Sequence, residues 1–204
     1  MMAGATIRKG HESRWTTSPF RNRTDVRKPL LALLLGIVLS LGAGGAFADN
    51  DTLETAGDVG LIALPAAAAG MTVLNGDREG AKQLGMALLS TAAVTGGLKL
   101  SIREKAPNGD DHAFPSGHTS IAFAGASFIQ RRSGWGYGAP AYLAASFVGY
   151  SRIETDHHRF HDVLAGAAIG IASNLIFTTS FGEVSASPIV GRESIGVVVR
   201  VPLP

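Results

Sequence analysis

Residues 151–162 read SRIETDHHRFHD and hold three histidines, two aspartates, one glutamate and two arginines. On one side lies the apolar run APAYLAASFVGY (139–150), on the other DVLAGAAIGIASNLIFTTSF (162–181). A short polar cluster between two Ala/Gly-rich runs reads as the break between two helices. The same alternation extends upstream. GHTSIAFAGASFI (117–129) follows the polar segment REKAPNGDDHAFP (103–115), and AKQLGMALLSTAAVTGGLKL (81–100) precedes it. GDVGLIALPAAAAGMTVL (57–74) comes before the turn NGDRE (75–79), and QRRSGWGYG (130–138) makes a further break.

Residues 57–180 therefore predict an all-α fold, a helical bundle of about five to six Ala/Gly-rich helices. Small side chains at close spacing let such helices approach tightly, in water or in lipid. The tail changes character: SIGVVVRVPL is rich in β-branched residues and reads as a strand, paired with SPIV through GRE in a short C-terminal hairpin.

The formal charge of +2 hides an uneven distribution. Residues 1–28 carry seven Lys/Arg against Glu12 and Asp25, leaving eleven basic and fourteen acidic side chains for the rest. The basic character belongs to the leader, so no nucleic-acid partner is expected. With no cysteine there is no disulfide, thiol nucleophile or thiolate metal site.

Arg21, Arg23, Arg27 and Lys28 precede LLALLLGIVLSL, and Ala46-Phe47-Ala48 fits a small-residue cleavage site ahead of Asp49. Residues 1–48 thus form a basic leader plus either a signal peptide or a first transmembrane helix. Residues 49–181 make the main domain and 182–204 an extended tail.

Two topologies follow. If all six apolar segments span a membrane, Arg131 and Arg132 fall on the cytoplasmic side, as the positive-inside bias requires. The polar segments 103–115 and 151–161 then share the periplasmic face. Alternatively, cleavage at Ala48 leaves a soluble periplasmic bundle. The runs 117–129 and 139–150 are short for spans, which need roughly 20 residues.

Five of the six histidines lie in those two polar segments: His112, His118, His157, His158 and His161. His157 and His161, at i,i+4, could present two imidazoles to zinc, with His112 or Asp111 as a third ligand. His158 and Asp162 share the same spacing. A helix starting near His158 would set a carboxylate against an imidazole, freeing its other nitrogen as base or nucleophile. Asp162 also suits a helix N-terminus for its charge alone. In Pro115-Ser116-Gly117-His118, Ser116 is a natural N-cap, and the free N–H groups after it make an anion site.

PSGH followed by SR-x5-H-x3-D (Ser151-Arg152, His158, Asp162) resembles the type 2 phosphatidic acid phosphatase (PAP2) superfamily, which includes bacterial acid phosphatases and vanadium haloperoxidases. The resemblance covers residues 57–180. It implies a metal-independent phosphatase in which His158 attacks phosphorus to form a phosphohistidine and Asp162 orients His158. His118 would protonate the leaving alkoxide and then activate water. Lys99, Arg152, Ser116 and the Gly117 N–H would hold the phosphoryl oxygens. Neither cofactor nor metal is implied, and the substrate would be a lipid (pyro)phosphate or a small phosphomonoester.

One family motif, K-x6-R-P, is incomplete. Lys99 and Pro107 are present, but Ala106 stands where the arginine belongs. Lys105, with Arg103 nearby, is the candidate substitute, although an ammonium lacks the planar fork of a guanidinium. A weakened phosphatase is the first expectation, and an inactive anion-binding relic the second. A vanadate-dependent haloperoxidase and a zinc hydrolase follow.

Overall fold

The computed structural model describes residue 36, residues 49–180, and the backbone of residues 185–190 and 195–200. The expected leader and first apolar segment, residues 1–48, lie outside the described residues apart from Gly36. Among the described residues from Asp49 on, five helices follow in order: α1 (Asn50–Leu74), α2 (Arg78–Ser101), α3 (Gly117–Ser133), α4 (Trp135–Glu154) and α5 (Phe160–Phe177). Strands β1 (Ser185–Val190) and β2 (Ile195–Arg200) pair antiparallel, from Ser185↔Arg200 to Val190↔Ile195.

Local chemistry sets the helix boundaries. Asp49 caps α1 by accepting a 2.9 Å bond from the Thr52 N–H, and Asp77 caps α2 at 2.8 Å from the Gly80 N–H. Ser116 caps α3. Gly134 (φ 82°) reverses the chain between α3 and α4 with a single residue, a conformation that disfavours any Cβ.

The reversal corrects an expectation. WGYG looked like part of a break, yet α4 begins at Trp135 and takes in all of it. Helix α4 also runs on through Glu154, so its 20 residues exceed the apolar run by a turn at the front and another behind. Tertiary packing overrides the weak helix propensity of glycine here: Gly138 is buried against Gln130 of α3.

Helix α3 packs against all four others and is the axis of the bundle. Its buried side chains are mostly small (Ala122, Ala124, Ala126, Ser120, Ser127), with Phe128 and Ile129 filling the far end. Leu64, Ala68 and Met71 of α1, Leu84 of α2, and Ala141, Ala144, Ala145 and Val148 of α4 complete the core. Burying a side chain the size of Phe128 or Leu64 contributes about 1.5–3 kcal/mol.

The outer surface is also apolar. Val59, Ile62, Val73, Leu89, Leu100, Leu143, Phe160, Leu164, Leu175 and Ile176 are all exposed. Helices α1, α2 and α5 are long and apolar enough to cross a membrane. At 1.5 Å per residue, the 25 residues of α1 reach about 37 Å, against roughly 30 Å of bilayer hydrocarbon.

Candidate active site

The polar segment after α2 and the turn between α4 and α5 meet at one end of the bundle. The stretch 151–162 divides there. Ser151–Glu154 finish α4, Thr155–Arg159 turn, and Phe160 opens α5. Asp156 takes a left-handed conformation (φ 58°), tolerable for aspartate in a tight turn. The turn brings the N–H groups of His157 and His158 back to the Arg152 carbonyl, at 3.1 and 3.0 Å. Two backbone bonds join the segments: the Ser116 N–H donates to the Asp162 carbonyl at 3.0 Å, and the Asn108 N–H to the Asp156 carbonyl at 3.0 Å.

Beside these connections an open cavity of about 550 Å³ is lined by Lys99, Ala106, Gly117, His118, Arg152 and His158, together with Asp110, Asp111, His112 and His157. Elements spread from Lys99 to His158 along the chain thus converge at one place.

His158 precedes the α5 N-cap instead of lying on the helix. Its Nδ1 is 3.7 Å from Asp162 Oδ2, beyond hydrogen-bond range, and has no other partner. Of the two parts foreseen for Asp162, the geometry shows the helix-terminal acid. Its Oδ2 accepts the Arg159 N–H at 2.8 Å as a helix-capping acid, and the same oxygen faces His158. Burial, and then the Lys99 ammonium, push the His158 imidazole down to about 4 despite the pull of Asp162. At neutral pH the ring is therefore uncharged with a free lone pair, as a nucleophile must be.

Lys99 Nζ donates to the His112 carbonyl at 2.7 Å, which steadies its charge at the cavity wall. Arg152 is almost fully buried. Its Nη2 donates to the Glu54 carbonyl at 2.6 Å and its Nη1 lies 3.1 Å from Asp58 Oδ1. Gly57 makes the approach possible, because a Cβ there would overlap Ser151 Oγ and the Arg152 guanidinium. The same Asp58 Oδ1 lies 3.0 Å from His118 Nε2. Glu54 Oε1 is 3.4 Å from His157 Nε2.

Glu54 and Asp58 were missed from sequence; from α1 they pair with Arg152, His118 and His157. The available signal was a pair of acids at i,i+4 near the start of an otherwise apolar helix.

Two expected contributors sit elsewhere. Lys105 does not line the cavity. It is largely exposed and pairs with Asp111 at 3.7 Å, because its position next to Ala106 turns it outward. Ser116 is fully buried beneath the cavity, where its Oγ accepts from Thr119. Ala106 itself is buried and presents only a methyl where the family arginine would stand. Among the zinc candidates, His157 bonds Thr155 and Glu54, and His161 faces away from the cavity toward Glu104.

One end of the helical bundle thus gathers His118, His158, the half-buried Lys99 and the buried Arg152 around a single cavity. The chain belongs to the PAP2 superfamily, whose family model matches residues 80–185. Over 93 residues it is 43% identical to the lipid A 1-phosphatase of Porphyromonas gingivalis, a match covering 43% of this chain and 20% of that protein. It thus spans about a fifth of the length of that curated relative. Among solved structures, LpxE of Aquifex aeolicus matches with a TM-score of 0.47 and 26% identity, over 58% of this chain and 83% of that one.

Proposed function

We propose that the protein is a metal-independent phosphatase acting on a lipid-linked phosphate, with its site on the periplasmic side of the inner membrane. The observation that carries this reading is the neutral His158 imidazole facing a cavity whose other wall holds Lys99, Arg152 and His118. The named activity of the P. gingivalis relative and the apolar exterior of α1, α2 and α5 support a lipid substrate.

His158 offers Nε2 to phosphorus, since its Nδ1 faces Asp162. As the N–P bond forms, the bond from phosphorus to the lipid oxygen breaks. Asp58 holds the Nε2–H of His118 and favours its imidazolium form, whose Nδ1 proton passes to that oxygen. Water then attacks the phosphohistidine, giving its proton back to His118 and releasing phosphate and His158. Lys99, Arg152 and the Gly117 N–H stabilise the phosphoryl oxygens as charge collects on them. Asp162 steadies the positive charge that His158 acquires in the intermediate.

The test is release of phosphate from lipid A 1-phosphate and from a chromogenic phosphomonoester, both in EDTA. Turnover that vanadate blocks and His158→Ala abolishes is expected. A requirement for zinc contradicts the reading. One second reading has its own support: Ala106 removes a cation and Asp58 already neutralises Arg152, as in a protein that binds phosphate without turning it over. Phosphate binding without any hydrolysis would establish that alternative.

A further inference from the structure

On the outer side of Asp162, away from the cavity, three potential ligands converge. His161 Nε2 lies 2.9 Å from Glu104 Oε1 and 3.1 Å from Asp162 Oδ1, and the three ligand atoms all fall within 4.8 Å of one another. Glu104 comes from the segment after α2, and His161 and Asp162 from the first turn of α5. Phe114 stacks on the His161 ring with centroids 6.1 Å apart, which fixes where Nε2 points.

The grouping has an unmet requirement. A ring nitrogen carries at most one proton, so His161 Nε2 can serve only one of the two carboxylates, whatever its tautomer or charge. Its bond goes to Glu104. Asp162 Oδ1, on a side chain with no exposure, is left without a hydrogen-bond partner. A buried anionic oxygen in that state is costly, and a cation bound there would satisfy it.

We infer that Glu104, His161 and Asp162 form a binding site for a divalent transition-metal ion of the zinc type, and that its occupation switches the phosphatase off. Tetrahedral coordination with bonds of about 2.0–2.2 Å places ligand atoms roughly 3.3–3.6 Å apart, so His161 Nε2 needs only a slight separation from each carboxylate. One imidazole and two carboxylates suit zinc and leave a position for water. Arg159 Nη1 also reaches Glu104 Oε1, at 3.0 Å, but Glu104 has a second oxygen to offer. His161 is half exposed, so the ion can enter from solvent without crossing the cavity. Metal on Asp162 Oδ1 draws charge away from Oδ2, the oxygen that faces His158. The nucleophile then loses the anion that steadies its phosphorylated form. The switching effect rests on the phosphatase reading above; the metal site does not.

Cobalt reports on the site without substrate. The full chain, purified in detergent and freed of metal with EDTA, is expected to bind one Co²⁺ with a tetrahedral visible band that Zn²⁺ displaces. His161→Ala and Glu104→Gln each remove the band and keep metal-free hydrolysis. Saturating Zn²⁺ slows the parent chain at least tenfold and leaves His161→Ala unaffected. Absence of the band, a band that survives His161→Ala, or full hydrolysis in saturating Zn²⁺ would each overturn the inference. Lack of hydrolysis in every metal-free sample would instead count against the phosphatase reading, with the cobalt result still deciding the metal site.

Discussion

The two ends of the bundle treat buried polar groups in opposite ways. At the end away from the cavity, Asp77 and Arg132 form a tight buried ion pair, and Arg132 also donates to the Thr179 carbonyl at 2.9 Å. Arg131 donates to the Thr178 carbonyl at 2.8 Å, Gln83 bonds Thr179, and Asn174 donates to the Ala124 carbonyl at 2.8 Å. At the cavity end, two buried side-chain atoms, His158 Nδ1 and Asp162 Oδ1, have no hydrogen-bond partner among the described residues, while Asp58 Oδ1 meets His118 and Arg152 as ion-pair contacts. An unmet buried polar atom costs about 1–3 kcal/mol, so folding alone does not favour leaving the pair there. One end is built to hold the helices in place, the other to meet a ligand.

Substitutions at the two ends should therefore separate stability from activity. The largest effect is expected from Arg132→Ala. It strands Asp77 in a buried setting and should lower unfolding stability by about 3–5 kcal/mol, while turnover per folded molecule stays near that of the parent. Denaturant titration alongside active-site titration checks this, and a fall in turnover with unchanged stability would erase the contrast.

Asp58→Asn should do the reverse. Freeing His118 and Arg152 from their shared anchor is expected to cut kcat on the order of 10²-fold with little change in melting temperature. Asp58→Glu should restore part of it. A loss confined to KM would mean that Asp58 assists binding alone.

Ala106→Arg probes the gap in the cation ring. A guanidinium there would face the phosphoryl group and restore a donor of the kind worth on the order of 10²-fold, although nearby Asp110 and Asp111 will neutralise part of it. About a tenfold rise in turnover is expected. An unchanged or lower rate means that the site has been rebuilt around alanine.

The smallest effect is a shift in pH profile. With the His158 imidazole held down near 4, the nucleophile stays unprotonated above that pH, and kcat/KM should fall only as pH drops through about 4. Lys99 is one cause of that depression. Lys99→Met should move the acid limb upward, toward the ordinary histidine value, besides weakening phosphate binding. A limb that stays in place would mean that burial alone sets it.

Sequence pattern revealed as much of the site as lies in contiguous motifs. PSGH and SR-x5-H-x3-D announced His118, Arg152, His158 and Asp162, and the polar breaks announced that they share one end. Residues joined only by helix crossing stayed hidden. Glu54 is 98 positions from Arg152, and no local period says that the first turns of α1 pack beside the last turn of α4. Lys105 misled for the complementary reason: proximity in sequence to Ala106 does not fix which way a loop side chain points. The extent of α4 was underestimated because glycine reads as a break when taken alone, and becomes a contact surface once α3 lies against it.

The central claim is that His158 is the nucleophile, and trapping its phosphorylated form tests that most directly. The full chain would be mixed with radiolabelled phosphate ester in EDTA, quenched in alkali within one turnover, and digested for mass analysis. The expected result is an alkali-stable, acid-labile phosphate on His158, absent from His158→Ala. Hydrolysis that proceeds without label at His158, or that survives His158→Ala, would contradict it.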